Sequence, residues 1–113
     1  QPIYTQLIQH VTLAILSGTF PCGGRLPPVR EMAAEAGVNP NTMQRALAEL
    51  ERTGLVYTQR TAGRFVTEDA AVIDSAKQEL AHQQVGAFLR RMERMGYDRE
   101  QAAQLVRSWK EEA

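Results

Sequence analysis

One cysteine, Cys22, in 113 residues excludes an intramolecular disulfide framework, which suits a reducing compartment. Net charge is absent as well: 13 basic residues balance 13 acidic ones. That balance excludes a protein that coats nucleic acid or membrane by bulk charge, and leaves the work to local charge. Long apolar runs are missing. No stretch approaches the roughly 20 residues that span a bilayer, and no signal peptide is visible, so a cytoplasmic location without a membrane partner is expected. Histidine is scarce. His10 and His82 stand far apart in the chain, without cysteine or carboxylate partners at ligand spacing, so no metal site is expected. No nucleophile triad, paired carboxylates or phosphate-cradling loop appears, so neither catalysis nor a cofactor is expected.

What is present is a chain that can fold. Apolar residues make up 43% of it, enough for a packed core, and the length suits one small domain with an appendage. Tyr4, Leu7, Ile8, Val11, Ala14 and Ile15 recur at three- and four-residue steps, which predicts an amphipathic helix ended at Gly18. A loop from Thr19 to Leu26 follows. Val29, Met32, Ala33 and Ala36 make a short apolar face closed by Gly37. Asn39 is a good N-cap and Pro40 sits at the first helical position. Met43, Ala46, Leu47 and Leu50 form the inward stripe of this third helix, and Gly54 ends it. Strands are predicted over 55–59 and 65–67, joined by a turn from Arg60 to Arg64. Helix, short helix, tight turn, helix and hairpin is the order of a winged helix-turn-helix.

The third helix carries the chemistry. If Met43, Leu47 and Leu50 face inward, the rotation of about 100° per residue turns Asn41 and Arg45 outward, flanked by Thr42 and Gln44. Asn and Gln match adenine edges and Arg matches guanine in the major groove. No acidic residue lies from Ala36 to Ala48 or from Arg52 to Thr67, while Arg45, Arg52, Arg60 and Arg64 fall in those windows. Phosphates would meet no like charge there. Arg60 and Arg64 flank the wing turn, within reach of phosphates or a minor groove, and Gly63 lets that turn take a positive φ.

The stretches Arg25-Leu26-Pro27-Pro28-Val29-Arg30-Glu31-Met32-Ala33, Gly37 to Leu47, Leu50-Glu51-Arg52-Thr53-Gly54-Leu55-Val56 and Gly63-Arg64-Phe65-Val66, in that order, resemble the DNA-binding domain of GntR-family repressors. The resemblance covers about the first 67 residues. It implies that Arg30 contacts the DNA backbone, that the segment from Asn39 to Arg45 contacts bases and phosphates, and that Gly63 marks the wing tip. Two positions depart from the family pattern. Pro28 stands where Ser is usual, which removes a helix cap and a phosphate contact. Thr61 stands where Gly is frequent, which stiffens the wing.

After Asp69 the composition shifts. Val72, Ile73, Ala76, Leu80, Phe88, Leu89, Met92 and Met95 keep helical spacing, predicting one long helix with Gly86 inside it and Gly96 at its end. Asp98 and Gln101 suit a capping box for a last helix bearing Ala102, Leu105, Val106 and Trp109. A two-helix tail of this kind resembles the YtrA-like branch of the family, which lacks a large effector domain. Two helices cannot bury that much apolar surface alone, and exposed patches of this size mark interfaces. The expected architecture is therefore mainly α with a small β-hairpin. A winged helix-turn-helix over 1–69 precedes a helical dimerisation tail over 70–113. Ile73, Ala76, Leu80, Phe88, Leu89, Met92, Met95, Leu105, Val106 and Trp109 are the expected dimer contacts. The expected function is a homodimeric bacterial transcription regulator, a repressor, on a two-fold symmetric double-stranded DNA operator. Two alternatives stay open at this stage: a winged-helix module that binds protein rather than DNA, and a fragment of a longer chain with an aminotransferase-like domain. A small-molecule effector also stays open, without identity; it would act by changing the spacing of the two reading helices, or where the tail meets the winged domain.

Overall fold

In the computed structural model, which describes residues 2–112, the first apolar stripe becomes helix α1 (Ile3–Leu16). Leu7, Val11 and Ile15 are buried, one per turn, so a single face of α1 meets the core. Helices α2 (Val29–Ala36) and α3 (Pro40–Thr53) are joined through Gly37, whose φ is 70°. The Gly37 N–H donates to the Ala34 carbonyl (3.2 Å) and the Val38 N–H to the Ala33 carbonyl (2.9 Å). This pair of bonds satisfies the last carbonyls of α2 while the left-handed glycine reverses the chain. Val38 then packs against the core, fixing the tight turn between the two helices.

α3 starts where its sequence says. The Asn39 side chain accepts a hydrogen bond from the Asn41 N–H at 2.7 Å, with Pro40 in the first turn. Met43, Ala46, Leu47 and Leu50 are all buried, and α3 packs on α1, α2 and the first strand. Full burial of Met43, Leu47 and Leu50 contributes about 1.5–3 kcal/mol each, so this stripe anchors the helix firmly. α2 differs from expectation at one place. It turns only Met32 and Ala33 fully inward, and Ala36, expected on the apolar face, is exposed at its last position. Pro28 precedes α2 and supplies no side-chain cap.

The wing consists of β1 (Val56–Gln59) and β2 (Gly63–Val66), antiparallel, with Val56 opposite Val66 and Gln59 opposite Gly63. The second strand thus begins two residues earlier than its apolar pattern suggests. Thr67 leaves the strand and turns its hydroxyl oxygen to the Asp69 N–H (3.1 Å). Part of the expected loop over 19–26 joins the sheet. Leu26 donates to the Arg64 carbonyl and Val66 to the Gly24 carbonyl, both at 2.9 Å, and Arg25 bridges to Phe65. Leu26, Leu55, Val56 and Val66 root the wing in the same core as the helices.

The chain groups into two compact units, Gln1–Lys77 and Gln78–Ala113, which part inside helix α4 (Ala70–Arg94). Asp69 caps the start of α4 through the Ala71 N–H (3.0 Å). Val72, Ile73 and Ala76 of its first two turns pack against the core of the first unit. α4 stays helical through Gly86. In the second unit α4 ends with the Gly96 N–H on the Glu93 carbonyl (2.9 Å) and the Tyr97 N–H on the Met92 carbonyl (3.0 Å). α5 (Arg99–Ser108) opens with the expected box: the Asp98 carboxylate accepts from the Gln101 N–H and the Gln101 side chain accepts from the Asp98 N–H. Ala102 is fully buried.

Candidate nucleic-acid interface

The solvent face of α3 follows from its buried stripe. Asn41, Gln44 and Arg45 are exposed and Thr42 is half-buried, as the rotation per residue requires. Asn39 is also exposed, but its side-chain oxygen serves the helix cap. Arg45 is not free-standing. Its guanidinium lies over the ring of Tyr4, 4.8 Å from the centroid, a cation–π contact from the first helix that sequence spacing did not reveal. Arg30 stands exposed on α2.

The wing is tied to α3 through Arg64. Its Nε donates to the Glu51 carboxylate at 2.6 Å and its Nη1 to the Gln44 side-chain oxygen at 3.1 Å. The Thr58 hydroxyl donates to the same Glu51 oxygen. The Arg64 side chain is only 16% exposed and that of Glu51 31%. Burial pushes the Glu51 carboxyl up, but the Thr58 hydroxyl and the Arg64 guanidinium outweigh it and hold it below the ordinary carboxyl range. Arg64, expected at phosphates, is thus held on the protein. The physical reason is Glu51, which falls between the two acid-free windows of the sequence and which the fold brings to the second strand. Arg52 is likewise paired with Glu49 on the surface, and that guanidinium holds the Glu49 carboxyl below its usual range.

Among the described residues, Arg30, Arg45 and Arg60 carry no ion pair. A further arginine joins them. The Arg25 guanidinium approaches within 3.3 Å of where a Cβ on Gly63 would sit, and the φ of Gly63 is 106°. A side chain at 63 would strain the backbone at this positive φ and would crowd the Arg25 guanidinium. Arg25, Pro28, Gln44, Arg60, Gly63 and Arg64 line one open groove of about 410 Å³. The fold therefore brings the start of α2, the face of α3 and the wing to one surface. Arg25 had a signal in the sequence, its place in the motif before Pro27, but only the strand pairing with Phe65 puts it at the wing.

The second unit carries a different surface. Phe88, Met92, Leu105, Val106 and Trp109 line an apolar groove of about 510 Å³. Trp109 is 70% exposed and Val106 60%, and Met95 and Val85 are exposed as well. Leu80 and Leu89 are half-buried, whereas Ile73 and Ala76 place their apolar surface on the first unit's own core. No group of three His, Cys, Asp or Glu among the described residues is arranged to hold a metal ion.

Residues 3–66 match the family described as bacterial regulatory proteins, gntR family. The HTH-type transcriptional regulator YhcF of Bacillus subtilis is 34% identical over 111 residues, covering 98% of this chain and 92% of that one. The HTH-type transcriptional repressor YtrA of the same organism is 44% identical over 69 residues, 61% of this chain and 53% of that one. Among solved structures, a GntR family transcriptional regulator from Listeria monocytogenes superposes with a TM-score of 0.90 at 36% identity, covering 97% of this chain and 96% of that one. The DNA-binding domain of AraR, solved in complex with operator ORR3, superposes with a TM-score of 0.55 at 27% identity, covering 58% of this chain and 80% of that one.

Proposed function

This chain belongs to the GntR family of bacterial regulatory proteins and is a DNA-binding transcriptional regulator, and from that premise we propose that it is a repressor that works as a homodimer on a two-fold symmetric operator in the bacterial cytoplasm. The observation that carries the DNA-facing part is the solvent side of α3: Asn41, Gln44 and Arg45, exposed and acid-free, opposite a fully buried stripe. α3 enters the major groove, with Asn41, Thr42, Gln44 and Arg45 at base edges. Asn39 caps α3 and sets it against the backbone. Arg30, Arg60 and Arg25 meet phosphates, and Gly63 lets the wing backbone come close.

The second unit supports self-association. A half-site contact of this size is small, so a specific site normally takes two copies. The exposed groove of Phe88, Met92, Leu105, Val106 and Trp109 offers an apolar face that a second copy would cover. Leu80 and Leu89, half-buried, and Met95, exposed, are further apolar side chains of the same unit that we assign to the interface. Ile73 and Ala76 stay with the core they already cover. The kinship with YtrA, named a repressor, supports repression over activation.

The test is a titration of the full chain with fragments of the source genome at several salt concentrations. A phosphate-driven interface makes the logarithm of affinity fall linearly with the logarithm of salt. Selected fragments should show an inverted repeat. A chain that binds no DNA at low salt overturns the proposal in favour of a protein-binding winged helix.

A further inference from the structure

We propose that Arg64 is a specificity-determining positioning residue: from the wing it fixes which end of the Gln44 amide the reading helix presents to DNA. The inference rests on the DNA-binding proposal above. A guanidinium only donates hydrogen bonds, so the Gln44 atom 3.1 Å from Arg64 Nη1 must be the amide oxygen. Arg64 itself is held by the Glu51 carboxylate at 2.6 Å, which in turn accepts from the Thr58 hydroxyl. Four side chains, two from α3 and one from each strand of the wing, form one network. The Gln44 amide nitrogen is left outside this network, on an exposed side chain.

This orientation has a chemical consequence. A glutamine reads adenine with both ends of its amide: the oxygen accepts from the N6 amino group while the nitrogen donates to N7. With its oxygen turned to Arg64, Gln44 offers DNA a donor. A donor suits guanine, whose major-groove edge shows only acceptors, N7 and O6, and it opposes the N6 amino group of adenine. The tie therefore turns Gln44 from an adenine reader into a guanine reader. Arg64 does this without touching a base, and it contributes no phosphate contact while Glu51 neutralises it.

The experiment is selection of bound duplexes from a random library by the full-length chain, by Arg64→Ala and by Gln44→Ala, followed by affinity measurements across salt on the selected sites. The parent should prefer guanine at the base pair where Gln44→Ala loses its preference. In Arg64→Ala, adenine should gain on guanine at that same pair by about tenfold, the scale of one bidentate contact. The salt slope should match the parent's. Arg64→Met, which keeps the aliphatic stem and cannot donate, should give the same shift and carries the test if Arg64→Ala does not fold. An unchanged base profile overturns the inference. So does a uniform loss on all sequences with a salt slope smaller by about 1, the mark of a phosphate contact. Absence of salt-dependent binding by the parent overturns the DNA-binding proposal and this inference with it.

Discussion

Arg45 on α3 rests its guanidinium on the ring of Tyr4 at 4.8 Å, so the first helix holds a side chain with which it shares no sequence neighbourhood and which we propose to read bases. Arg45→Ala should weaken binding to the selected operator by about 1–3 kcal/mol if the contact to guanine is bidentate. Tyr4→Leu removes the ring while keeping an apolar side chain against the core, and the loss of affinity should be smaller, roughly the 0.5–1 kcal/mol of an exposed cation–π contact. Isothermal titration on one operator compares the two. Equal affinity for Arg45→Ala and parent would remove Arg45 from the set of reading residues.

Arg60 stands at the wing turn with no ion pair among the described residues, unlike its neighbour across the turn. Arg60→Ala should weaken binding to every sequence alike and lower the salt slope by about 1. Anisotropy titrations over a range of salt on operator and random duplex measure both quantities. A loss confined to the operator would place Arg60 at a base instead.

Glu51 makes the wing tie sensitive to acid. Its carboxyl is held below the ordinary value of 4.5 in the folded chain. A lowered folded value means the unfolded chain takes up the proton first as the pH falls. The stabilisation is therefore fully present above about pH 4.5 and is lost as the pH falls toward the folded value. Thermal melts of the parent and of Glu51→Gln should differ at pH 7 and converge in acid. A difference that instead vanished between pH 6 and 8 would point to another group.

Val106 is 60% exposed on the apolar face of α5. Val106→Glu should leave the fold intact and turn a micromolar homodimer into a monomer, because a buried unpaired carboxylate at an interface is costly. Sedimentation velocity reads the outcome. A parent that is already monomeric at that concentration would remove the tail from the assembly.

Local chemistry was legible in the chain, and long-range pairing was not. Asn39-Pro40 and the spacing of Met43, Leu47 and Leu50 specify α3 within a few residues of one another, and Asp98 with Gln101 does the same for α5. The Glu51–Arg64 tie joins residues 13 apart through a strand whose register the sequence only outlined. Counting acids by windows hid Glu51, since it lies between them, and so Arg64 looked free. Ile73 and Ala76 kept the helical spacing of an interface stripe, and no spacing rule distinguishes a partner's surface from the chain's own core. Arg25 needed the pairing of its loop with Phe65 before its nearness to Gly63 appeared.

The clasp of Gly24 and Leu26 on the second wing strand also bears on the order of folding. It closes the chain over about forty residues, and closing a loop of that length carries an entropic cost that local hydrogen bonds do not offset early. The hairpin alone is two short strands, marginal in water by itself. The wing is therefore expected to mature late, after the helices have brought residue 24 beside residue 66. Once it is in place, the amides of Leu26 and Val66, which close the clasp, are expected to exchange more slowly than those of Arg60 and Thr61 in the turn.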